Sequence, residues 1–351
     1  KNVRKQPAAG RGGTTTLVRR LRRLFTRLLW RYMAGNVQQG PPGPDLTFHD
    51  REAVFGRVGK LNNIRRDDIK FVRKIGEGAT GTVYLAHWEG RTVAAKQGYP
   101  GDELALKDLI AELDIITTIG KHPNIVVFFG ACIENEKQPI ILEEYVEGPN
   151  IDQFFQSSSL GMCSKLPKAT IYSWIRDMLM AIDFLHNRDP VIMHRDIKAS
   201  NLLLTKDLRQ LKLVDFGMSK HVRQSDMQTS KHTGFTGTIR YMAPEVLTQA
   251  EGHYTEKADI YSAALIMYYI ATGIRPRLLN RRTVEGLRVR PDTTKVNWPE
   301  LAEIMAKAWA PEPNLRPSAG RLVQMLNAMP TAPDLATVDV MPPIGGCCVI
   351  S

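Results

Sequence analysis

A run of glycines, Ile75-Gly-Glu-Gly-Ala-Thr-Gly-Thr-Val83, lies between two apolar stretches. With no side chains at Gly76, Gly78 and Gly81, such a loop can lie against phosphate oxygens, with Ile75 and Val83 at its borders. The same pattern is often a plain tight turn, so alone it leaves both readings open. The next segment, Thr92-Val-Ala-Ala-Lys96, is strand-like, whereas a dinucleotide-binding unit requires a helix at that point. Lys96 ends this apolar strand. A buried ammonium needs a counter-charge, so Lys96 either reaches out to solvent along its stem or grips phosphates and a carboxylate.

The carboxylate comes from the following segment. Asp102 is suited to cap a helix and Gly120 to end it. At about 100° per residue, Glu112 falls inside the apolar arc of Ala105, Leu109, Leu113, Ile116 and Ile119, while Glu103 and Asp114 fall opposite. An inward acid calls for a cation, and the spacing predicts a Lys96–Glu112 pair; the competing reading is an acid at the edge of the stripe.

Three further stretches follow in order: Val191-Ile-Met-His-Arg-Asp-Ile-Lys-Ala-Ser-Asn201, Leu213-Val-Asp-Phe-Gly217 and Tyr241-Met-Ala-Pro-Glu245. On these motifs the chain resembles the eukaryotic protein kinase family over about residues 69 to 329. The resemblance implies an α+β, two-lobed protein kinase fold: a small β-rich N-lobe with one key helix and a large helical C-lobe. It also implies ATP and Mg²⁺. Asn201 and Asp215 would hold the metal, Lys96 and Glu112 would serve the phosphates, and Glu144 would mark the hinge beside the adenine. Asp196 would accept the proton of a substrate hydroxyl. Lys198, two residues on, resembles the Ser/Thr branch, and the stretches Asn124–Cys132 and Gly237–Glu245 look most like its tyrosine-kinase-like group. By the same resemblance Asp259 braces the catalytic loop and Arg316 pairs with Glu245.

Chemistry explains why these groups must converge. The phosphates repel an incoming hydroxyl, so metal and ammonium must neutralise them while a base holds the nucleophile in line. The polar stretch after Gly217 carries Ser225, Thr229, Ser230, Thr233 and Thr236, candidates for regulatory phosphorylation that pairs with Arg195 and other cations; the bland alternative is a solvated loop. Thr80, Ala263-Ala264 and Glu143 depart from the family's usual residues. Glu143 is the sharpest departure. An acid behind the adenine implies a desolvation cost or competition with Glu112 for Lys96, and therefore weaker ATP binding. A pseudokinase scaffold and a tyrosine or dual-specificity kinase are the rival readings.

The elements that position these groups stand out from their flanks. Short strand-like runs precede long apolar helical runs such as Ala258 to Thr272, as expected of a small strand-rich lobe before a larger helical one. Of the +11 net charge, ten basic residues and no acids lie in residues 1 to 44, leaving 37 basic against 36 acidic residues beyond them. The basicity is therefore that of an arm, 1 to 45 with its Pro/Gly linker, and nucleic-acid binding is not expected. Within it Leu17, Leu21, Leu24, Phe25 and Leu28 face one way and Arg19, Arg20, Arg23, Arg27 and Arg31 the other, a basic amphipathic helix suited to an anionic membrane surface. A calmodulin-like partner and a mitochondrial presequence are competing readings of that helix. Four cysteines make no disulfide framework, and no run of 18 apolar residues spans a bilayer. The tail, 330 to 351, ends in Cys348-Val-Ile-Ser351, which fits a farnesylation signal at Cys348 with Cys347 open to palmitoylation. The sequence thus predicts a cytoplasmic, membrane-associated kinase acting on protein substrates.

Overall fold

The computed structural model describes residues 52–57, 63–78, 80–157, 166–222, 239–248, 255–277 and 289–333. The arm, the tail and all the candidate regulatory hydroxyls of 225–236 lie outside these residues. Five antiparallel strands form the first layer: β1 (Lys70–Glu77), β2 (Gly81–Trp88), β3 (Arg91–Gly98), β4 (Phe128–Cys132) and β5 (Ile140–Glu144). They are ordered β1-β2-β3-β5-β4. One face of the sheet buries Ala86, Val93, Ala95, Cys132 and Leu142 in a small core of its own. Because side chains alternate along a strand, Ala94 and Lys96 point to the other face, towards the cleft. Pairing of Ala94 with Glu143 puts Glu143 on that face as well.

One long helix, α1 (Glu103–Ile119), accompanies this sheet among the described residues. Asp102 caps it by accepting the Ala105 N–H at 3.2 Å, and Gly120 leaves it at φ +82°, a backbone state that glycine adopts without strain. The predicted stripe is buried: Ala105, Leu109, Leu113, Ile116 and Ile119, with Glu112 among them at 1 % exposure.

The larger lobe is helical: α2 (Ile151–Ser157), α3 (Lys168–His186), α4 (Pro244–Thr248), α5 (Lys257–Thr272), α6 (Pro299–Ala308) and α7 (Ala319–Asn327). Residues 258–270 of α5 are buried on every side, so it forms the centre of the lobe. Two short ribbons complete the frame. Strand β6 (Val191–Met193) pairs with β9 (Lys220–Val222), and β7 (Leu202–Leu204) pairs with β8 (Leu211–Leu213). The Leu202–Leu213 register brings the residue before β7, Asn201, beside the stretch after β8 that carries Asp215. Among the described residues no helix is long and apolar enough to cross a membrane.

Candidate active site

At the N-lobe wall of the cleft, the β1–β2 turn is closed by Gly78 N–H donating to Gly81 O at 2.9 Å. The three glycines are there for different reasons. A Cβ on Gly81 would lie 2.2 Å from the Gln97 carbonyl oxygen, so packing on β3 alone excludes a side chain. A Cβ on Gly78 would meet nothing within 4 Å, and one on Gly76 would meet only Val83. Their bareness therefore leaves open space at the flap, between half-buried Ile75 and Val83 on the flanking strands.

Lys96 is 8 % exposed, and its Nζ lies 2.6 and 2.7 Å from the two oxygens of Glu112 and 3.2 Å from Asp215 Oδ1. Burial by itself would strip the proton from this ammonium. Glu112 and Asp215 outweigh it and hold Lys96 well above its ordinary range, so it stays charged. The reading of Lys96 as a snorkelling surface residue is thereby excluded.

The acid that sequence reasoning set against this pair does not displace Glu112 from Lys96. Glu143 lies within the electrostatic reach of Lys96, and its Oε1 is buried without a hydrogen-bond partner. Burial first, then the negative field of Glu112, push its carboxyl up to about 8. At neutral pH it is a neutral acid, which removes the expected competition with Glu112 and leaves the desolvation cost. Glu144, the expected hinge residue, has its carboxylate engaged within the protein: it accepts from Lys212 at 2.8 Å and from the Val127 N–H at 3.2 Å.

On the opposite wall, Asn201 is 4 % exposed and donates its amide to Asp196 O at 3.1 Å and Asp196 Oδ2 at 3.3 Å, which turns its carbonyl oxygen away from Asp196. Lys198 donates to the same Asp196 Oδ2. Asp215 has left-handed backbone at φ +67°. Burial works to raise its carboxyl, but Lys96 and Lys198 outweigh it and hold the group below the usual carboxylate range. An ionised carboxylate at Asp215 and an amide oxygen at Asn201, on segments joined by the Val214 N–H to Asn201 O bond at 3.0 Å, are the donor chemistry a hard divalent cation prefers, so these residues fit Mg²⁺.

Supports under the site were legible in part. Asp259, 2 % exposed, accepts the backbone N–H of His194 and of Arg195, each at 2.8 Å, and meets His186 Nε2 at 2.9 Å. It pins the catalytic loop at Arg195, whose φ is +65°. Arg316, 1 % exposed, grips both oxygens of Glu245 at 2.6 and 2.8 Å and donates to the carbonyls of Lys257, Ala310 and Pro311. Sequence reasoning missed His194. It is fully buried and, held neutral by burial, carries its proton on Nε2 for Val214 O (3.3 Å) while Nδ1 accepts the Asp196 N–H (3.3 Å). It ties the loop of Asp196 to the stretch that carries Val214 and Asp215, a role that its place in a motif does not reveal.

The fold and its cleft define a two-lobed α+β protein with its charged groups gathered between the lobes. The family described as Protein kinase domain matches residues 69–327, and the chain belongs to the protein kinase family. It is 33 % identical over 262 residues to serine/threonine-protein kinase VIK of Arabidopsis thaliana, covering 72 % of this chain and 58 % of that protein. It is 34 % identical over 260 residues to dual specificity protein kinase shkA of Dictyostelium discoideum, covering 72 % of this chain and 47 % of the relative. Serine/threonine-protein kinase CTR1 of Arabidopsis thaliana is 32 % identical over 269 residues, 75 % of this chain and 32 % of the relative. The chain thus spans less than two thirds of the length of these curated relatives.

Proposed function

We propose that the chain transfers the terminal phosphoryl group of ATP, with Mg²⁺, to serine or threonine hydroxyls of proteins. The observation that carries this reading is Lys96 held between Glu112 and Asp215 at 2.6 to 3.2 Å, opposite Asp196 and Asn201. Lys96 neutralises charge on the nucleotide's phosphates, and Glu112 keeps its ammonium from turning away. Asn201 and Asp215 would hold Mg²⁺, which when bound would neutralise charge on the transferring group. Asp196 orients the acceptor hydroxyl and takes its proton, while Lys198, bonded to the same carboxylate, lies where it can follow the charge that moves onto the transferred phosphoryl. Ser/Thr preference rests on Lys198 and on the printed names of relatives such as VIK and CTR1; the name of shkA keeps dual specificity in view. The test is phosphoamino-acid analysis of a generic protein acceptor after incubation with purified chain and Mg-ATP. Phosphoserine and phosphothreonine are expected, phosphotyrosine would move the reading to dual specificity, and no transfer would leave a scaffold.

A membrane location is proposed on sequence grounds alone. The basic amphipathic arc of 17–32 supports contact with an anionic lipid surface, and Cys348-Val-Ile-Ser351 supports lipid attachment where that tetrapeptide is the end of the chain. Fractionation of cells expressing Cys348→Ser, in which the variant moves to the soluble fraction, tests it.

A further inference from the structure

Residues 52–57 form a short helical turn that precedes the matched domain, which begins at 69. A tail with no role would lie on the surface. Instead Val54 is 2 % exposed and belongs to the main core cluster, to which α1 gives Ile115, Ile116 and Ile119, and Phe55 packs against that cluster. Three residues after Val54, Arg57 donates to Asp114 on α1. Asp114 is two residues past Glu112, so it points out of α1 as Glu112 points in, and a hold on the outer face fixes the rotation and approach of the inner one.

One turn on from Asp114, Thr118 Oγ1 meets His221 Nε2 at 3.1 Å, and His221 lies on β9 just beyond Asp215. Arg188 donates to the Thr118 carbonyl at 3.4 Å. Arg57, Asp114, Thr118, Arg188 and His221 all line one polar cleft of about 340 Å³. The pre-domain turn, the glutamate-bearing helix and the strand leaving the metal-bearing loop therefore meet at a single junction. Lys96 has two partners, Glu112 on the helix that ends at this junction and Asp215 on the stretch that leads into β9.

We propose that residues 52–57 are a positioning element for the phosphoryl-transfer site, in which Arg57 holds α1 through Asp114 and so keeps Glu112 on Lys96. The proposal rests on the kinase reading of the cleft. Arg57 touches no reacting group and acts through α1 alone. An ion pair whose side chains are 42 % and 33 % exposed is weak in absolute terms. Its leverage is positional: the pair forms only when α1 carries Asp114 beside residues 52–57, and that same placement sets Glu112 on Lys96.

The experiment compares the full chain with Arg57→Asp, Asp114→Arg and the double variant that swaps the charges, by steady-state kinetics and by hydrogen exchange of α1. Each single variant is expected to lose about fivefold in kcat, the ceiling for one partly exposed pair, with KM for the acceptor peptide unchanged. Exchange should quicken in α1 and stay unaltered in α5, and the double variant should recover both readouts. Unchanged α1 exchange in the single variants would overturn the proposal, as would a kcat loss that the swap does not repair. The exchange arm reads α1 directly, so a wild-type chain without transfer activity would refute the kinase reading while still deciding whether Arg57 holds α1. If Arg57→Asp does not fold, Arg57→Gln carries the same comparison.

Discussion

Replacing Glu143 by glutamine keeps the shape and polarity of the side chain and removes only its ionisation. In the folded protein this carboxyl keeps its proton up to about pH 8, against an ordinary value of 4.5 in the unfolded chain. Between those values the native state binds more protons than the unfolded state, so the wild type loses stability as pH rises from 4.5 to 8, and below 4.5 nothing is lost because both states are protonated. At pH 7 the span of roughly 2.5 pH units corresponds to about 3 kcal/mol, which Glu143→Gln should recover. At about pH 5.5 the gain should shrink to roughly 1.4 kcal/mol. Denaturant unfolding of both proteins across this range measures the difference. A gap between wild type and variant that does not change with pH would refute the reasoning, because it would mean that Glu143 is already ionised in the folded protein or already solvated.

Four other outcomes follow from the geometry. Lys96→Met should lower kcat by roughly 10²–10³, since it removes one preorganised cation from the developing charge, and should also lower the melting temperature, because Glu112 is left buried without its cation. Arg316→Ala leaves Glu245 buried without its cation and should cost about 3–5 kcal/mol in unfolding free energy. Gly81→Ala, whose new Cβ would lie 2.2 Å from the Gln97 carbonyl oxygen, should unfold well below wild type in a thermal melt. Gly78→Ala, with nothing within 4 Å, should melt with wild type yet raise KM for ATP.

The chain's own periodicities made much of this legible. The Asp102 cap, the Gly120 stop and the inward Glu112 all followed from helical spacing, because α1 is long enough for its pattern to be unambiguous. Asp259 and Arg316 were readable only through the family resemblance, since a buried charge looks like a surface charge until its partners are known. What stayed hidden depended on contacts between distant segments. That Glu144 is taken up by Lys212, 68 residues away, has no local signal. Neither does the neutral state of Glu143, which is set by burial and by the field of Glu112 on the same side of the sheet. The glycines of the flap were grouped as one motif, yet the requirement at Gly81 is a backbone clash with β3 that only the β2–β3 pairing creates. Residues 52–57 have too little periodicity to be read at all; Val54 and Arg57 gain meaning from the cluster and the helix they meet.

The most direct test of the central claim is a crystal structure of the chain with Mg²⁺ and a non-hydrolysable ATP analogue. The account predicts metal bound by Asn201 and Asp215, Lys96 on the phosphates while still held by Glu112, and Asp196 facing the open side of the terminal phosphate. A nucleotide bound elsewhere, or a metal that leaves both Asn201 and Asp215 unligated, would contradict it.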